Sequence, residues 1–300
     1  MNVPLRRFIA TSEHARFEEF CAACRRDRYI GLCVGPPGVG KTVSARVVTR
    51  ADAFDALRPP FSEHPEQLTP LKGLTALLYT PDVINGPRAV TDQILGLWNR
   101  LLFIEAGGVI GPARQRRTNQ SDEVAAIIGT QSRTVRDANR KLAAVTDTLE
   151  PKPFLHPLQL LIVDEADRLK TASLEQLRAL YDRGNFGLVL IGMPGLEKRL
   201  ARYPQLYSRI GFAHQYRPLP IDELRDLLVH RLDDLADLPD REGVTEPTVL
   251  AAILQITGGN LRLVIRLLAQ IERVLDVNGL DTVTVEIVDA ARETLVIGPI

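Results

Sequence analysis

The sequence predicts an α/β fold, a parallel sheet sandwiched by helices and followed by a small all-helical lid domain. Three observations carry this expectation. Short runs that are apolar throughout alternate with helical segments, as strands buried on both faces of a sheet require. One such run ends in a glycine-rich loop that opens straight into a helix. Beyond Pro218 only helical periodicity remains. Composition agrees with a packed globular chain: 45% of the 300 residues are hydrophobic and 25% charged, which excludes disordered, collagen-like and coiled-coil classes.

In chain order, residues 1–28 read as a helical lead-in, with Phe8, Phe17 and Phe20 on a loose helical period and Thr11, Ser12 and Glu13 offering a start. Tyr29–Val34 is a buried parallel strand, and a helix runs from Lys41 to Arg50. Prolines and glycines crowd residues 59–87, with a second strand at Ala76–Thr80 and an amphipathic helix over about Ala89–Phe103. Trp98 stands among Leu95, Leu97, Leu101 and Leu102, which marks a packed helix rather than a base-stacking platform. A third strand, Leu158–Val163, precedes a helix at Ser173–Tyr181, whose Leu174, Leu177 and Tyr181 share a face. Phe186–Ile191 is a fourth strand. Helices over Leu224–Leu232, Val249–Ile256, Leu261–Val274 and Val285–Leu295 complete the chain. The expected domains are the lead-in 1–28, an α/β nucleotide-binding domain 29–217 and a helical lid 218–300.

The chemistry concentrates in Gly35-Pro36-Pro37-Gly38-Val39-Gly40-Lys41-Thr42, a phosphate-loop pattern standing between strand and helix. Glycines let successive backbone N–H groups turn inward around a phosphate, and the helix N-terminus adds its positive dipole end. Lys41 would reach the β and γ oxygens, and the Thr42 hydroxyl would ligate Mg²⁺. Leu160-Leu161-Ile162-Val163-Asp164-Glu165 supplies the other half, two carboxylates at the carboxyl end of a strand, where ligands of parallel sheets bind. Asp164 suits the Mg²⁺ shell and Glu165 the polarisation of an attacking water. Taken alone, Asp-Glu after a strand also reads as a helix N-cap; its pairing with the loop favours ATP and Mg²⁺ chemistry.

With these blocks, and with Ala166-Asp167-Arg168-Leu169, Gly187–Gly192, Leu206-Tyr207-Ser208-Arg209-Ile210 and Gly258-Gly259-Asn260-Leu261-Arg262, the chain resembles AAA+ ATPases. Within them it resembles the transposition helpers of the Mu B and TnsC/TniB type. The resemblance covers most of the chain and implies an ATPase that forms a homo-oligomeric ring or filament on double-stranded DNA and recruits or activates a transposase. It implies that Arg209 reaches in trans to a neighbour's γ-phosphate, where a guanidinium's forked donors meet developing charge. It makes Arg262 the lid arginine that senses the same phosphate. Arg209 also reads as a surface arginine beside Arg202, and Arg266 shares the helical face of Arg262. One departure stands out. The family places a polar Asn, Thr or Gln just after the fourth strand, where this chain has Met193, a weak acceptor that cannot donate, so either hydrolysis is slow, to be stimulated by DNA or a partner, or another residue serves.

With 37 basic and 37 acidic residues, attraction to nucleic acid has to come from a local patch. The most basic segment, 111–142, carries Arg114, Arg116, Arg117, Arg133, Arg136, Arg140 and Lys141 against Asp122, Glu123 and Asp137. Its readings are phosphate contacts of low sequence preference or a solvated helical face. Residues 123–135 match helix-turn-helix offsets weakly, and an amphipathic helical insertion is the preferred reading. Cys21 and Cys24 lack a second pair or a histidine cluster and read as small residues on one helix face, and the five histidines show no ligand spacing. No apolar run reaches the roughly 18 residues of a membrane span, and Met1–Arg7 lacks a signal peptide's apolar core, so a cytoplasmic protein without a membrane partner is expected. Two rivals remain. Ile191–Leu196 followed by Arg209-Ile210 also resembles the secretion ATPase ExeA, although no membrane span or wall-binding domain is legible, and Met193 suits an ATP-gated switch that hardly hydrolyses.

Overall fold

The computed structural model describes residues 8–57, 65–105, 158–230 and 243–295. Five strands, β1 (Ile30–Val34), β2 (Ala76–Tyr79), β3 (Leu160–Val163), β4 (Gly187–Gly192) and β5 (Ile210–Gln215), form a parallel sheet of order β2-β3-β4-β1-β5. β1 pairs with β5 from Ile30 opposite Ile210 to Val34 opposite Gln215, with a bulge after Ile30; β2 pairs with β3 from Ala76 opposite Leu160 to Tyr79 opposite Val163. Every residue of β3 and β4 is buried, as strands covered on both faces require. β5 alternates between half-buried and exposed positions at the sheet edge. That alternation, with Gly211, Ala213 and Gln215 on the open face, is why the sequence reading passes over it: four strands are legible and a fifth is present.

By contact density the described residues group into two units, one within Met1–Ala45, Asp164–Asp167 and Val189–Ile300, the other within Arg46–Val163 and Arg168–Leu188. In the first, α1 (Ser12–Asp27) starts on Thr11, whose side chain accepts from the His14 N–H at 3.1 Å, and stops where Arg28 turns left-handed. Phe17, Phe20, Cys21 and Cys24 line its buried face. The fit against β1 is tight enough that a Cβ on Gly31 would meet the Cys24 sulfur at 2.4 Å, which is why that position has to be glycine. The three buried cysteines are free thiols, and burial raises Cys24 and Cys33 to about 12, so Cys21 and Cys24 serve as packing residues.

Among its described residues the same unit holds α2 up to Ala45 (the helix is Lys41–Val48), then α6 (Leu196–Leu200), α7 (Pro204–Tyr207) and the C-terminal helices α8 (Ile221–His230), α9 (Pro247–Thr257), α10 (Leu261–Asn278) and α11 (Val285–Glu293). α10 is capped at one end by Asn260 and closed by a left-handed Gly279. It buries Leu261, Val264, Ile265, Leu267, Leu268, Ile271 and Leu275, the 3–4 spacing of a helix with one apolar face. At about 1.5–3 kcal/mol per buried side chain, this face outweighs anything helix propensity contributes. Ile9 joins the same apolar cluster, and Ser12 bonds Glu223 of α8 at 2.5 and 2.6 Å, so the lead-in is tied to the terminal helices.

In the second unit α3 (Ala51–Ala56), α4 (Pro87–Glu105) and α5 (Thr171–Arg183) accompany β2, β3 and the start of β4. Trp98 is buried edge-on against Phe186, ring centroids 6.0 Å apart, which makes it a core residue as its leucine neighbours suggest. Buried Asn85 donates to the carbonyls of Asp82 and Arg168, both at 2.9 Å, and fixes the loop after β2. Among the described residues no helix is long and apolar enough to cross a membrane.

Candidate nucleotide site

The loop from β1 to α2 closes because Gly38 (φ 83°) and Gly40 (φ 114°) occupy backbone conformations that L side chains rarely adopt. At Gly38 a Cβ would also lie 2.6 Å from Asn260 Oδ1. Lys41 is only 9% exposed, and its Nζ folds back to donate to the carbonyls of Gly35 and Pro36, both at 2.6 Å. Burial holds this ammonium below the ordinary lysine value, with Asp164 and Asp167 among the groups that pull the other way. The Thr42 hydroxyl donates to Asp164 Oδ2 at 2.7 Å, and Asp164 is itself 3% exposed.

Glu165 follows with φ 50°, a left-handed conformation that costs a bulky residue on the order of 1 kcal/mol, while its N–H donates to Asp164 Oδ1 at 2.9 Å. Of the two adjacent carboxylates, that of Asp164 is thus held both by Thr42 and by the Glu165 backbone. Arg262 also joins the loop: its N–H donates to the Gly38 carbonyl at 3.1 Å, and the side chain is exposed beside Gly38. Asn260, part of the quoted motif but given no role by sequence reasoning, latches the same turn by donating from Nδ2 to the Pro37 carbonyl at 2.8 Å. Beneath the loop lies a buried polar chain that sequence reasoning missed entirely. His14 Nδ1 meets Ser44 Oγ at 2.9 Å, and Ser44 Oγ meets the Tyr216 hydroxyl at 2.7 Å. Burial lowers His14 and raises Tyr216 to about 12, so both stay neutral near pH 7. The one available signal was the position of Ser44, a helical turn after Lys41 on a helix otherwise free of buried polar groups beyond the loop.

Arg209 is not brought to this loop. Its carbonyl accepts from the Ile30 N–H at 3.3 Å, which fixes it at the start of β1, whereas Gly35 follows the end of that strand. Five residues at about 3.3 Å each separate the two by roughly 16 Å. Its guanidinium donates to the Gln205 carbonyl. Met193 follows the last residue of β4 and is 42% exposed, and its N–H donates to Asp167 Oδ2 at 2.8 Å. The basic positions Arg114, Arg116, Arg117, Arg133 and Arg136, and the stretch 123–135, lie outside the described residues.

Residues 24–200, which contain both the loop and the paired carboxylates, match the model of the AAA domain family. The chain belongs to this family. It is 39% identical, over 296 residues covering 97% of each chain, to a Staphylococcus aureus protein described as a potential ATP-binding protein. The fold is similar to that of the Aeropyrum pernix ORC2 protein in ADPNP and ADP complexes (TM-score 0.52, 18% identity, 96% of this chain and 70% of that one). It is also similar to a Thermotoga maritima RuvB point mutant (TM-score 0.50, 18% identity, 97% and 72%). This AAA domain protein is thus a P-loop ATPase that uses ATP with Mg²⁺. The residues present fit that pair. A glycine turn crowned by a buried ammonium suits phosphate oxygens, and the Thr42 hydroxyl converging on the Asp164 carboxylate is the hard oxygen donor set that Mg²⁺ prefers. Among the described residues no cluster of three or more His, Cys, Asp or Glu offers a rival metal site.

Proposed function

We propose that this AAA domain ATPase assembles as a homo-oligomer on double-stranded DNA and recruits or activates a transposase, with nucleotide controlling the assembly. The observation that carries the reading is the position of Arg209, roughly 16 Å along β1 from its own loop. An arginine so placed stands far from its own loop, as one that serves a neighbour's γ-phosphate would. In this reading the loop backbone from Gly35 to Gly40 and Lys41 hold the phosphates, Thr42 and Asp164 hold Mg²⁺, Glu165 takes the proton of the attacking water, and Arg262 contacts the γ-phosphate from the lid. Bound there, Mg²⁺ would neutralise charge on the β and γ oxygens. The partition into a lead-in 1–28, a nucleotide domain 29–217 and a lid 218–300 belongs to the same reading, as does a cytoplasmic location.

DNA binding is supported by the basic run within 111–142, and the transposase by the resemblance of the quoted motifs to the Mu B and TnsC/TniB-like helpers. A second reading, an ATP-gated switch with little turnover, draws on Met193, whose exposed thioether offers nothing to an attacking water. Sedimentation and negative-stain imaging with duplex DNA, at low and moderate salt, separate them from the main reading when ATP, a slowly hydrolysed analogue and no nucleotide are compared alongside phosphate release. Nucleotide-dependent rings or filaments on DNA are expected, with affinity falling steeply as salt rises. ATP binding without assembly on DNA would overturn the proposal, and assembly without measurable phosphate release would favour the switch.

A further inference from the structure

The carboxylate of Asp167 lies across the end of β4. Its Oδ2 accepts the Met193 N–H at 2.8 Å, and both of its oxygens pack so closely on Gly192 that a Cβ there would meet them at 2.7 and 2.9 Å. Gly192 is therefore the residue that admits this carboxylate. The backbone of Asp167 is held as well, its carbonyl accepting from Arg199 at 2.6 Å. Among the described residues Oδ1 makes no hydrogen bond, so one acceptor is left over at the carboxyl end of a strand that lies, in sheet order, between β3 with its Asp164-Glu165 end and β1 with the phosphate loop. Asp167 is also near enough for its charge to act on Lys41.

We propose that Asp167 is the water-positioning residue of this ATPase, supplying through Oδ1 the polar group that residue 193 does not. The proposal rests on the ATPase reading. In the reaction the water oxygen forms a bond to the γ-phosphorus, the bond to the β–γ bridging oxygen breaks with its electron pair going to ADP, and one water proton passes to Glu165. A second acceptor for the remaining O–H fixes the direction of the oxygen lone pair, which is the task a polar side chain after β4 performs. The Met193 N–H holds Oδ2 in place, so the thioether at 193 can point away without leaving the end of β4 apolar.

The test compares steady-state phosphate release and nucleotide affinity in the full chain, wild type and Glu165→Gln, with Asp167→Ala, Asp167→Asn and the double variant Asp167→Ala/Met193→Asn. Asp167→Ala is expected to lower kcat at least tenfold with nucleotide affinity within about threefold of wild type, and Met193→Asn in that background is expected to recover a substantial part of kcat. Asp167→Asn keeps an acceptor for the Met193 N–H, so it folds even where alanine does not, and it is expected to lower kcat without changing affinity. Wild-type kcat in both single variants, joint loss of affinity and kcat, or no recovery in the double variant would assign Asp167 to structure alone and overturn the proposal. A wild-type protein that releases no more phosphate than Glu165→Gln would instead bring down the ATPase reading itself.

Discussion

The two ends of β1 carry opposite kinds of chemistry. At its carboxyl end the predicted phosphate and metal side chains Lys41 and Thr42 are engaged within their own chain, on two loop carbonyls and on Asp164, and the Arg262 N–H is bonded to Gly38. At its amino end Arg209 is fixed by a backbone bond to Ile30, and its guanidinium is bonded to the Gln205 carbonyl. In the proposed assembly the two ends serve different sites, the loop its own chain's nucleotide and Arg209 a neighbour's. Under the proposed reading the difference teaches that nucleotide binding belongs to one chain, whereas full catalytic power is expected of an assembly.

The sharpest test of the carboxyl end is Lys41→Ala, which is expected to abolish measurable ATP binding in calorimetry; retained affinity would remove the central role of the loop. Next comes Arg209→Ala at the other end. It is expected to lower turnover about 10³-fold or more, the range typical of an arginine supplied in trans, while affinity for nucleotide stays near wild type. Mixing Arg209→Ala with Lys41→Ala should then restore part of the turnover, since each copy lacks what the other holds. Unrestored activity in titrated mixtures would break the comparison.

A smaller effect belongs to Asn260, which caps α10 and bonds the Pro37 carbonyl. Asn260→Ala is expected to destabilise the fold by about 1 kcal/mol, typical of a lost cap, and to weaken nucleotide binding severalfold. Chemical denaturation and nucleotide titration read the two separately. The smallest expected effect is on pH dependence. His14 and His214 are both held below the ordinary 6.5, chiefly by burial, although Glu18 acts in the opposite sense on the first and Glu13 on the second. Glu13 Oε1 lies 3.1 Å from His214 Nε2 but outside hydrogen-bond geometry, so its compensation is incomplete. The unfolded chain therefore binds more protons below pH 6.5 than the folded one. Stability is complete above that value and declines as pH falls toward the folded-state values, which thermal melts from pH 7.5 to 5 would show. Replacing both histidines should flatten the profile.

Much of this was legible beforehand for a physical reason. A phosphate loop is eight contiguous residues whose conformation follows from glycine placement and the helix that opens behind it, so no long-range information is needed to find Gly35–Thr42. Strands β1 to β4 are readable because burial on both faces makes them apolar throughout. β5 is not, since an edge strand needs only one apolar face and IGFAHQ alternates too weakly to separate from a loop. The buried chain of His14, Ser44 and Tyr216 was invisible because its members come from 30 and 172 residues apart and each looks ordinary alone. Asp167 was quoted only as part of a motif, since nothing local says that its carboxylate turns to the end of β4 rather than to solvent.

The sequence by itself determined the chemistry of binding: which backbone can wrap a phosphate, which ammonium meets it, and which carboxylates follow a buried strand. Those are short-range consequences of residue type and spacing. Tertiary structure alone decided which distant groups share that chemistry. It pins Thr42 to Asp164 across 122 residues, lays Asn260 and Arg262 on the loop, and brings Asp167 to Met193 while leaving Arg209 at the far end of β1. Strand order and helix packing set those distances, and neither is encoded in any one segment.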